Sequence, residues 1–369
     1  MRTILLGTAI VAMSQISCGT GKTEVATMKE HFKDDFLVGA AIPAGVVNGI
    51  DEKADSIVSL HYNSIVAENC MKNEELQPEE GVFFWDDADR FVKYGEDRGM
   101  KIIGHTLVWH SQLAQWFPFD SVGRYVSADV LKERMRSYIH TVVGRYKGRV
   151  MGWDVVNEAI EDDGSYRKTP FYDILGEEFI PLAFEYAHEA DPDAELYIND
   201  FSMFLPGKRD AYVKLVGNLK ERGIRIDGIG MQSHIGMDYP DLGEYEKSIE
   251  AFGSTGCHVM ITELDMSALP TVHFGADISD NVDFRKDMDP YTDGLPQEVS
   301  DRWNSRMDSV IALYKKHSDV ISRVTWWGTH DSMSWKNDFP MHGRTDYPLP
   351  FDRNYKLKPF MVKELASDK

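Results

Sequence analysis

From about residue 30 to its end, the chain alternates short apolar runs with longer amphipathic stretches. A short apolar run bounded by turn residues predicts a buried strand, and apolar residues three and four positions apart predict a helix. Repeated alternation of the two is typical of βαβ units, in which neighbouring strands run parallel in one sheet. The eight predicted strands are Phe36–Ile42, Asn63–Ala67, Lys101–Leu107, Val150–Val156, Glu195–Asn199, Gly228–Gln232, His258–Thr262 and Arg323–Trp327. The clearest predicted helices are Asp86–Arg98, Ala128–Tyr146, Ile180–Ala190, Arg209–Arg222, Leu242–Phe252 and Gln297–His317.

Eight such repeats favour a single closed (β/α)8 TIM barrel of the α/β class. A length of 369 residues suits one barrel with loop insertions, and no Ser/Gly/Pro-rich linker divides the chain. The alternative is an open, doubly wound sheet, but no glycine-rich turn opens the first βα unit. The polar segment Asp277–Gly294 is predicted to be the loop after the seventh strand. Glycines suited to a left-handed helix cap follow four predicted helices: Gly99, Gly148, Gly223 and Gly256.

The first residues have the pattern of an export signal. Arg2 precedes an apolar run, Ile4–Met13, which has the length of a signal-peptide core and is too short to span a bilayer. Ile16–Gly19 resembles a bacterial lipobox, which predicts a signal peptide over residues 1–17 and lipidation of Cys18 as the first mature residue. Residues 18–29 would then be a short tether and residues 30–369 the barrel.

Gln15 departs from the leucine usual in a lipobox, so a conventional secretory signal cleaved nearby is the alternative. We expect an exported bacterial protein, either lipid-anchored to a membrane or cell surface or else periplasmic or secreted. The lipid anchor would be its only contact with a membrane, and we expect a monomer.

Charge and cysteine content exclude several classes of function. The 40 Lys and Arg against 60 Asp and Glu give a net charge of −20, which repels phosphate backbones and argues against a nucleic-acid partner. Cys70 and Cys257 lie in strand-like runs and are predicted to be buried free thiols rather than a disulfide or metal site. No CxxC or HxH motif offers zinc a site. We therefore expect neither a metal nor an organic cofactor.

Polar and ionisable side chains follow most of the predicted strands, which is where TIM barrels carry their catalytic residues. Two carboxylates are prominent among them, Glu158 after the fourth strand and Glu263 after the seventh. Hydrolysis of a glycosidic bond needs two carboxyl groups, one to protonate the leaving oxygen and one to act at the anomeric carbon. The alternative is that each glutamate forms an ion pair with a basic residue at the barrel rim.

The neighbours of these glutamates suggest roles. Asp265 lies two residues after Glu263 and so faces the same side of the strand, where His234 could link the two carboxylates by hydrogen bonds. Such contacts keep a carboxylate ionised, as a nucleophile requires. Asn157 could offer its amide to a sugar hydroxyl, although asparagine is also a common turn residue.

Five runs in order make the pattern specific: GHTLVWHSQ (104–112), WDVVNEA (153–159), GIGMQSH (228–234), ITELD (261–265) and WWGTHDSMSW (326–335). They resemble the endo-β-1,4-xylanases of glycoside hydrolase family 10, from about Phe32 to Pro359. The resemblance implies a (β/α)8 barrel, retention of anomeric configuration, and xylan and xylo-oligosaccharides as substrates. By position it makes Glu158 the acid/base, preceded by Asn157, and Glu263 the nucleophile, with His234 beside it. It also implies a sugar-binding set comprising Glu68, Asn69, Lys72, His105, Trp109, Gln112, Gln232, Trp327 and Trp335.

The sequence departs from the family pattern at four positions. Asn73 stands where tryptophan often follows the lysine, and Ala114 where proline is frequent. Ile198 and Phe201 replace common tyrosines, which leaves the preference on the leaving-group side open. The alternatives are the same mechanism on another β-glycan such as cellulose or mannan, or a catalytically inactive surface glycan-binding protein. Binding alone would not require the acid/base arrangement.

Overall fold

The barrel is closed by eight parallel strands, as the sequence predicts. A computed structural model describes residues 26–272 and 274–367, so the predicted signal peptide and the predicted lipidation site, Cys18, lie outside the described residues. Neighbouring strands follow the order β6-β5-β4-β3-β2-β1-β9-β8, and pairing of β6 with β8 closes the ring. The strands are β1 Leu37–Ile42, β2 Ser64–Ala67, β3 Lys101–Val108, β4 Gly152–Asn157, β5 Glu195–Asp200, β6 Gly228–Met231, β7 His234–Gly236, β8 His258–Ser267 and β9 Ile321–Trp326.

Helices follow the barrel strands and surround the ring. The six predicted helices are present with no end shifted by more than three residues, and shorter helices occur in the loops. The helices are α1 Met28–His31, α2 Ala44–Val47, α3 Glu52–His61, α4 Asn73–Leu76, α5 Asp86–Asp97, α6 Ala128–Arg145, α7 Pro170–Leu175, α8 Phe179–Ala190, α9 Pro206–Glu221, α10 Leu242–Gly253, α11 Gln297–Lys316 and α12 Pro359–Ala366.

The sequence prediction missed one strand and ended another too early. β7 has three residues, too few for a periodic pattern, and it pairs with β8 so that His234 lies opposite Asp265. This pairing lets β8 continue to Ser267, beyond the predicted end at Thr262. Glu263 and Asp265 are therefore held inside a strand rather than on the loop after it.

Two apolar layers stabilise the barrel. The small inner layer fills the barrel lumen, and the larger layer lies between the strands and the helices. Gly104 in β3 has no side chain because the buried ring of Trp153 from β4 occupies the space, where a Cβ would lie 2.1 Å from a ring carbon. The inner layer consists of Ala41, Val66, Ile103, Tyr197, Met260 and Trp327.

Other local predictions are confirmed. The four predicted cap glycines all have positive φ, between 64° and 74°. The segment Asp277–Gly294 lies between β8 and α11 and contains only a short 3-10 turn, Lys286–Met288. Cys70 and Cys257 are both free thiols as predicted, but only Cys257 is buried, and Cys70 is half-buried because it lies in the turn after β2. Among the described residues, every helix is too short or too polar to cross a bilayer.

Candidate active site

A cleft of about 190 Å³ opens at the C-terminal ends of the barrel strands. Thirteen of the fourteen residues proposed from the sequence line it, and Asp265 lies directly behind them. Ala276 and Ile278, from the loop after β8, complete the wall and were not anticipated. The thirteen are Glu68, Asn69, Lys72, His105, Trp109, Gln112, Asn157, Glu158, Gln232, His234, Glu263, Trp327 and Trp335.

Glu158 is held at the end of β4 in a left-handed backbone conformation, with φ of 58°. Such a conformation costs about 1–3 kcal/mol for a residue other than glycine and is common at functional sites. Its carboxylate accepts hydrogen bonds from Trp109 Nε1 at 2.8 Å, Gln232 Nε2 at 3.0 Å and Asn157 Nδ2 at 3.3 Å. The side chain is therefore aimed into the cleft by three neutral donors.

Burial raises the pKa of Glu158 to about 7, with further increases from the negative charges of Asp200 and Glu263. The hydrogen bonds from Gln232 and Trp109 oppose this shift without reversing it. A carboxyl group with such a pKa is largely protonated in mildly acidic solution and can donate a proton there.

Glu263 has the opposite electrostatic environment. One oxygen accepts a hydrogen bond from Asn199 Nδ2 at 2.9 Å, and the other lies 3.3 Å from His234 Nε2. Burial alone would raise the pKa of Glu263, but the hydrogen bond from His234 and the positive charges of His105 and His234 lower it below its ordinary value. Glu263 is therefore ionised where Glu158 is still protonated.

His234 connects Glu263 to a buried carboxylate. Its Nδ1 lies 2.9 Å from Asp265 Oδ2, which also accepts a hydrogen bond from Trp335 Nε1 at 2.7 Å. Burial lowers the pKa of His234, but the charge and hydrogen bond of Asp265 outweigh it and raise the pKa above its ordinary value. The imidazole can thus carry protons on both nitrogens and donate to both carboxylates.

The opposite wall of the cleft is polar and comes from the ends of β2 and β3. Lys72 Nζ donates to Asn69 Oδ1 at 2.9 Å and to Gln112 Oε1 at 2.6 Å. His105 Nδ1 lies 2.9 Å from Asp154 Oδ2. Burial lowers the pKa of Lys72, although the charges of Glu263, Glu68 and Glu158 oppose that shift.

Two tryptophans close the cleft from the loop after β9. Trp327 packs edge-on against His105, with ring centroids 5.4 Å apart, and Trp335 lies 4.9 Å from the His234 ring. Trp335 also stacks on Phe339 at 4.5 Å. Their indole rings present flat apolar surfaces to the cleft that contains the two carboxylates.

Sequence reasoning assigned no role to Asn199, which is central to the site. Its Nδ2 donates to Asn157 Oδ1 at 3.0 Å as well as to Glu263, and its Oδ1 accepts from Thr262 Oγ1 at 2.6 Å. Asn199 therefore joins the two carboxylate-bearing strands through β5. The available signal was its position near the C-terminal end of a predicted strand.

Two of the four departures from the family pattern contact each other. The Ala114 N–H donates to Asn73 Oδ1 at 3.0 Å. Proline has no N–H, so the alanine supplies a donor that the commoner residue lacks. Ile198 and Phe201 are both buried.

A (β/α)8 barrel with two glutamates of opposite pKa shift in one cleft defines a glycoside hydrolase of the two-carboxylate type. The chain belongs to glycosyl hydrolase family 10, whose family model matches residues 27–366. It is 49% identical over 341 residues to endo-1,4-beta-xylanase A of Xylanibacter ruminicola, covering 92% of each chain. It is 42% identical over 344 residues to an endo-1,4-beta-xylanase of Geobacillus stearothermophilus, covering 91% of this chain and 97% of the relative. A solved GH10 endoxylanase from a sugarcane soil metagenome superposes with a TM-score of 0.89 at 42% identity, covering 94% of this chain and all of the other.

Proposed function

We propose that this protein is a retaining endo-1,4-β-xylanase that cleaves internal bonds of xylan and xylo-oligosaccharides. The observation that carries the proposal is the pair of buried glutamates in one cleft with pKa values shifted apart. Glycoside hydrolysis needs such a pair, one carboxyl group protonated to release the leaving group and one ionised to act at the anomeric carbon. Membership of a retaining family makes the ionised group the nucleophile. Family membership and the xylanase relatives support the choice of substrate.

In the proposed reaction, a Glu263 oxygen bonds to the anomeric carbon while the glycosidic bond breaks. Glu158 gives its proton to the departing oxygen and becomes a carboxylate. It then takes a proton from water, which attacks the same carbon and displaces Glu263. Retention places the two carboxyl groups about 5–5.5 Å apart, against roughly 6.5–9.5 Å for inversion.

The other cleft residues bind and position. His234, Asp265 and Asn199 hold Glu263 ionised and oriented. Asn157 uses one N–H on Glu158 and keeps the second for a sugar hydroxyl. No step of this chemistry calls for a metal or organic cofactor. The residues proposed to bind sugar on the glycone side and around the cleavage point are Glu68, Asn69, Lys72, His105, Trp109, Gln112, Gln232, Trp327 and Trp335.

Release of reducing ends from xylan, carboxymethylcellulose and mannan tests the substrate assignment. We expect xylan to be degraded with the highest kcat/KM. A preference for carboxymethylcellulose or mannan would show that the substrate is another β-glycan. Binding without reducing-end release from any of the three would identify an inactive glycan-binding protein.

Trp335 is proposed to form the wall that excludes the hydroxymethyl group by which glucose differs from xylose. Trp335→Ala should raise the glucoside-to-xyloside ratio of kcat/KM by about tenfold, since a pocket discriminates one such group by roughly 1–3 kcal/mol. The absolute rate on xylan should fall through lost stacking. The ratio is measured with aryl cellobiosides and aryl xylobiosides.

The control is Trp335→Phe, which keeps a ring but removes the Nε1 donor to Asp265. If the wall hypothesis holds, this variant keeps the wild-type ratio while its rate reports the loss of the hydrogen bond. An unchanged ratio in Trp335→Ala would show that Trp335 only packs the rim.

The protein is proposed to be exported as a monomer, with residues 1–17 removed, Cys18 lipidated, residues 18–29 as tether and residues 30–369 as barrel. The wild-type protein should then partition into detergent, and Cys18→Ala should move it to the aqueous phase, because a triacylated cysteine buries enough methylene groups to anchor a protein. Equal partitioning would favour a conventional signal peptide and a periplasmic or secreted enzyme.

A further inference from the structure

An ion pair beside the cleft joins two loops that are distant in sequence. Arg167 lies in the loop between β4 and α7, and its backbone N–H donates to the backbone carbonyl of Ala159, next to Glu158. Its guanidinium reaches Asp277, in the loop between β8 and α11, with 2.7 Å between Nη1 and Oδ2. The side chains are 10% and 21% exposed, so solvent screens this pair less than a surface ion pair. We name this pair the clasp.

The clasp is attached to the wall of the cleft. Ala276 and Ile278, the residues on either side of Asp277, line the cleft beside the two glutamates. Asp277 also caps its own turn, because its Oδ1 accepts from Ser279 N at 3.0 Å and Ser279 Oγ at 2.7 Å. The position of the Asp277 carboxylate is thus coupled to the position of the short turn that carries Ala276 and Ile278.

The rest of the loop after β8 is tied to a different part of the protein. Ala268 N donates to Asp346 Oδ1 at 2.9 Å, Val282 N to the Pro340 carbonyl at 2.8 Å, and Thr345 N to Asp289 Oδ1 at 2.9 Å. These contacts all lead to the loop after β9. Within the described residues, the clasp is the ion pair that links this segment to the β4 side of the cleft.

Arg167 is held in place from the β5 side as well. Its guanidinium lies 5.2 Å from the centre of the Phe201 ring, and its other ion-pair partner, Glu161, is 3.5 Å away. The negative charges of Asp200 and Glu158 also act on it. Its buried Nε has no hydrogen-bond partner in the structure. Loss of the Asp277 carboxylate would therefore remove the shortest ion pair of a nearly buried cation, which favours rearrangement of the loop.

The clasp lies on the side of the cleft away from Asn69 and Lys72, since its loops follow β4 and β8 whereas those residues follow β2. Under the proposed function, the β2 side binds the glycone, and the clasp side receives the sugars of the leaving group. We infer that the clasp sets the width of the leaving-group subsite by holding Ala276 and Ile278 against the substrate. Arg167 and Asp277 would then be positioning residues that determine how the enzyme selects the leaving-group part of a xylan chain.

Asp277→Asn tests this inference, because it removes the charge and keeps the size of the side chain. We expect kcat/KM on 4-nitrophenyl xylobioside, whose leaving group is not a sugar, to stay within about twofold of wild type. On xylohexaose, which fills the leaving-group side, kcat/KM should fall about tenfold, mainly through KM. Asp277→Glu keeps the charge and should restore part of the loss.

The matched control is Asp287→Asn, which breaks the exposed ion pair of Arg285 with Asp287 in the same loop. This variant should leave kcat/KM unchanged on both substrates. An equal loss on both substrates in Asp277→Asn, or the same ratio change in Asp287→Asn, would overturn the inference and indicate a general structural role. If wild type cleaves cello- rather than xylo-oligosaccharides, the proposed substrate is wrong, and the same ratio measured in that series still decides the role of the clasp.

Discussion

Glu263→Ala should reduce turnover of xylan and of aryl xylosides alike, on the order of 10⁵-fold. Glu263 is the carboxylate whose pKa is lowered, and Asn199 and His234 direct both of its oxygens. Without it no covalent intermediate can form, and a good leaving group does not compensate for a missing nucleophile. Steady-state kinetics on 2,4-dinitrophenyl xylobioside and on xylan measure the effect.

Glu68→Gln is the matched control, because Glu68 is another carboxylate of the same cleft whose pKa is raised by burial rather than lowered. It should lose substrate affinity and keep measurable turnover. Thermal unfolding of both variants separates loss of chemistry from loss of fold. Substantial turnover of the aryl xyloside by Glu263→Ala would contradict the assignment of the nucleophile.

The barrel was predictable because its signal is repeated eight times. Each apolar run is short, but the alternation recurs through the chain, and the error in any one boundary does not change the topology. β7 escaped prediction because its three residues have no period of their own and are stabilised by pairing with β8. Position in the tertiary structure, not local propensity, makes it a strand.

The site was predictable to the extent that it depends on residue type at strand ends. Glu158 and Glu263 could be found in this way, whereas the contribution of Asn199 depends on distances between three strands. Ala276 and Ile278 lie in an irregular loop and carry no chemical signal in the sequence. Likewise, Asn73 and Ala114 look like two separate departures until the structure shows the hydrogen bond between them.

Glu158→Ala should separate the two steps of the reaction. On xylan, whose leaving group needs a proton, kcat/KM should fall by about 10²–10⁴-fold, the range of general acid catalysis. On 2,4-dinitrophenyl xylobioside, whose leaving group needs none, the first step should be nearly unaffected and the second slow, giving a burst of dinitrophenol. Azide should then accelerate the second step, because it attacks without needing deprotonation.

The pH profile provides an independent test of the same assignment. Glu158 must be protonated at the start of the reaction, so wild-type kcat/KM should fall as pH rises through about 7. Glu263 must be ionised, so the acidic limb should lie below the ordinary glutamate pKa. In Glu158→Ala with the dinitrophenyl substrate, the basic limb should disappear and the acidic limb should remain.

Once Glu263 is esterified, its charge no longer raises the pKa of Glu158. The Glu158 carboxylate formed in the first step is then available as the base that deprotonates water. A basic limb that persists in the variant, or azide that does not accelerate its second step, would assign the acid/base role to another residue.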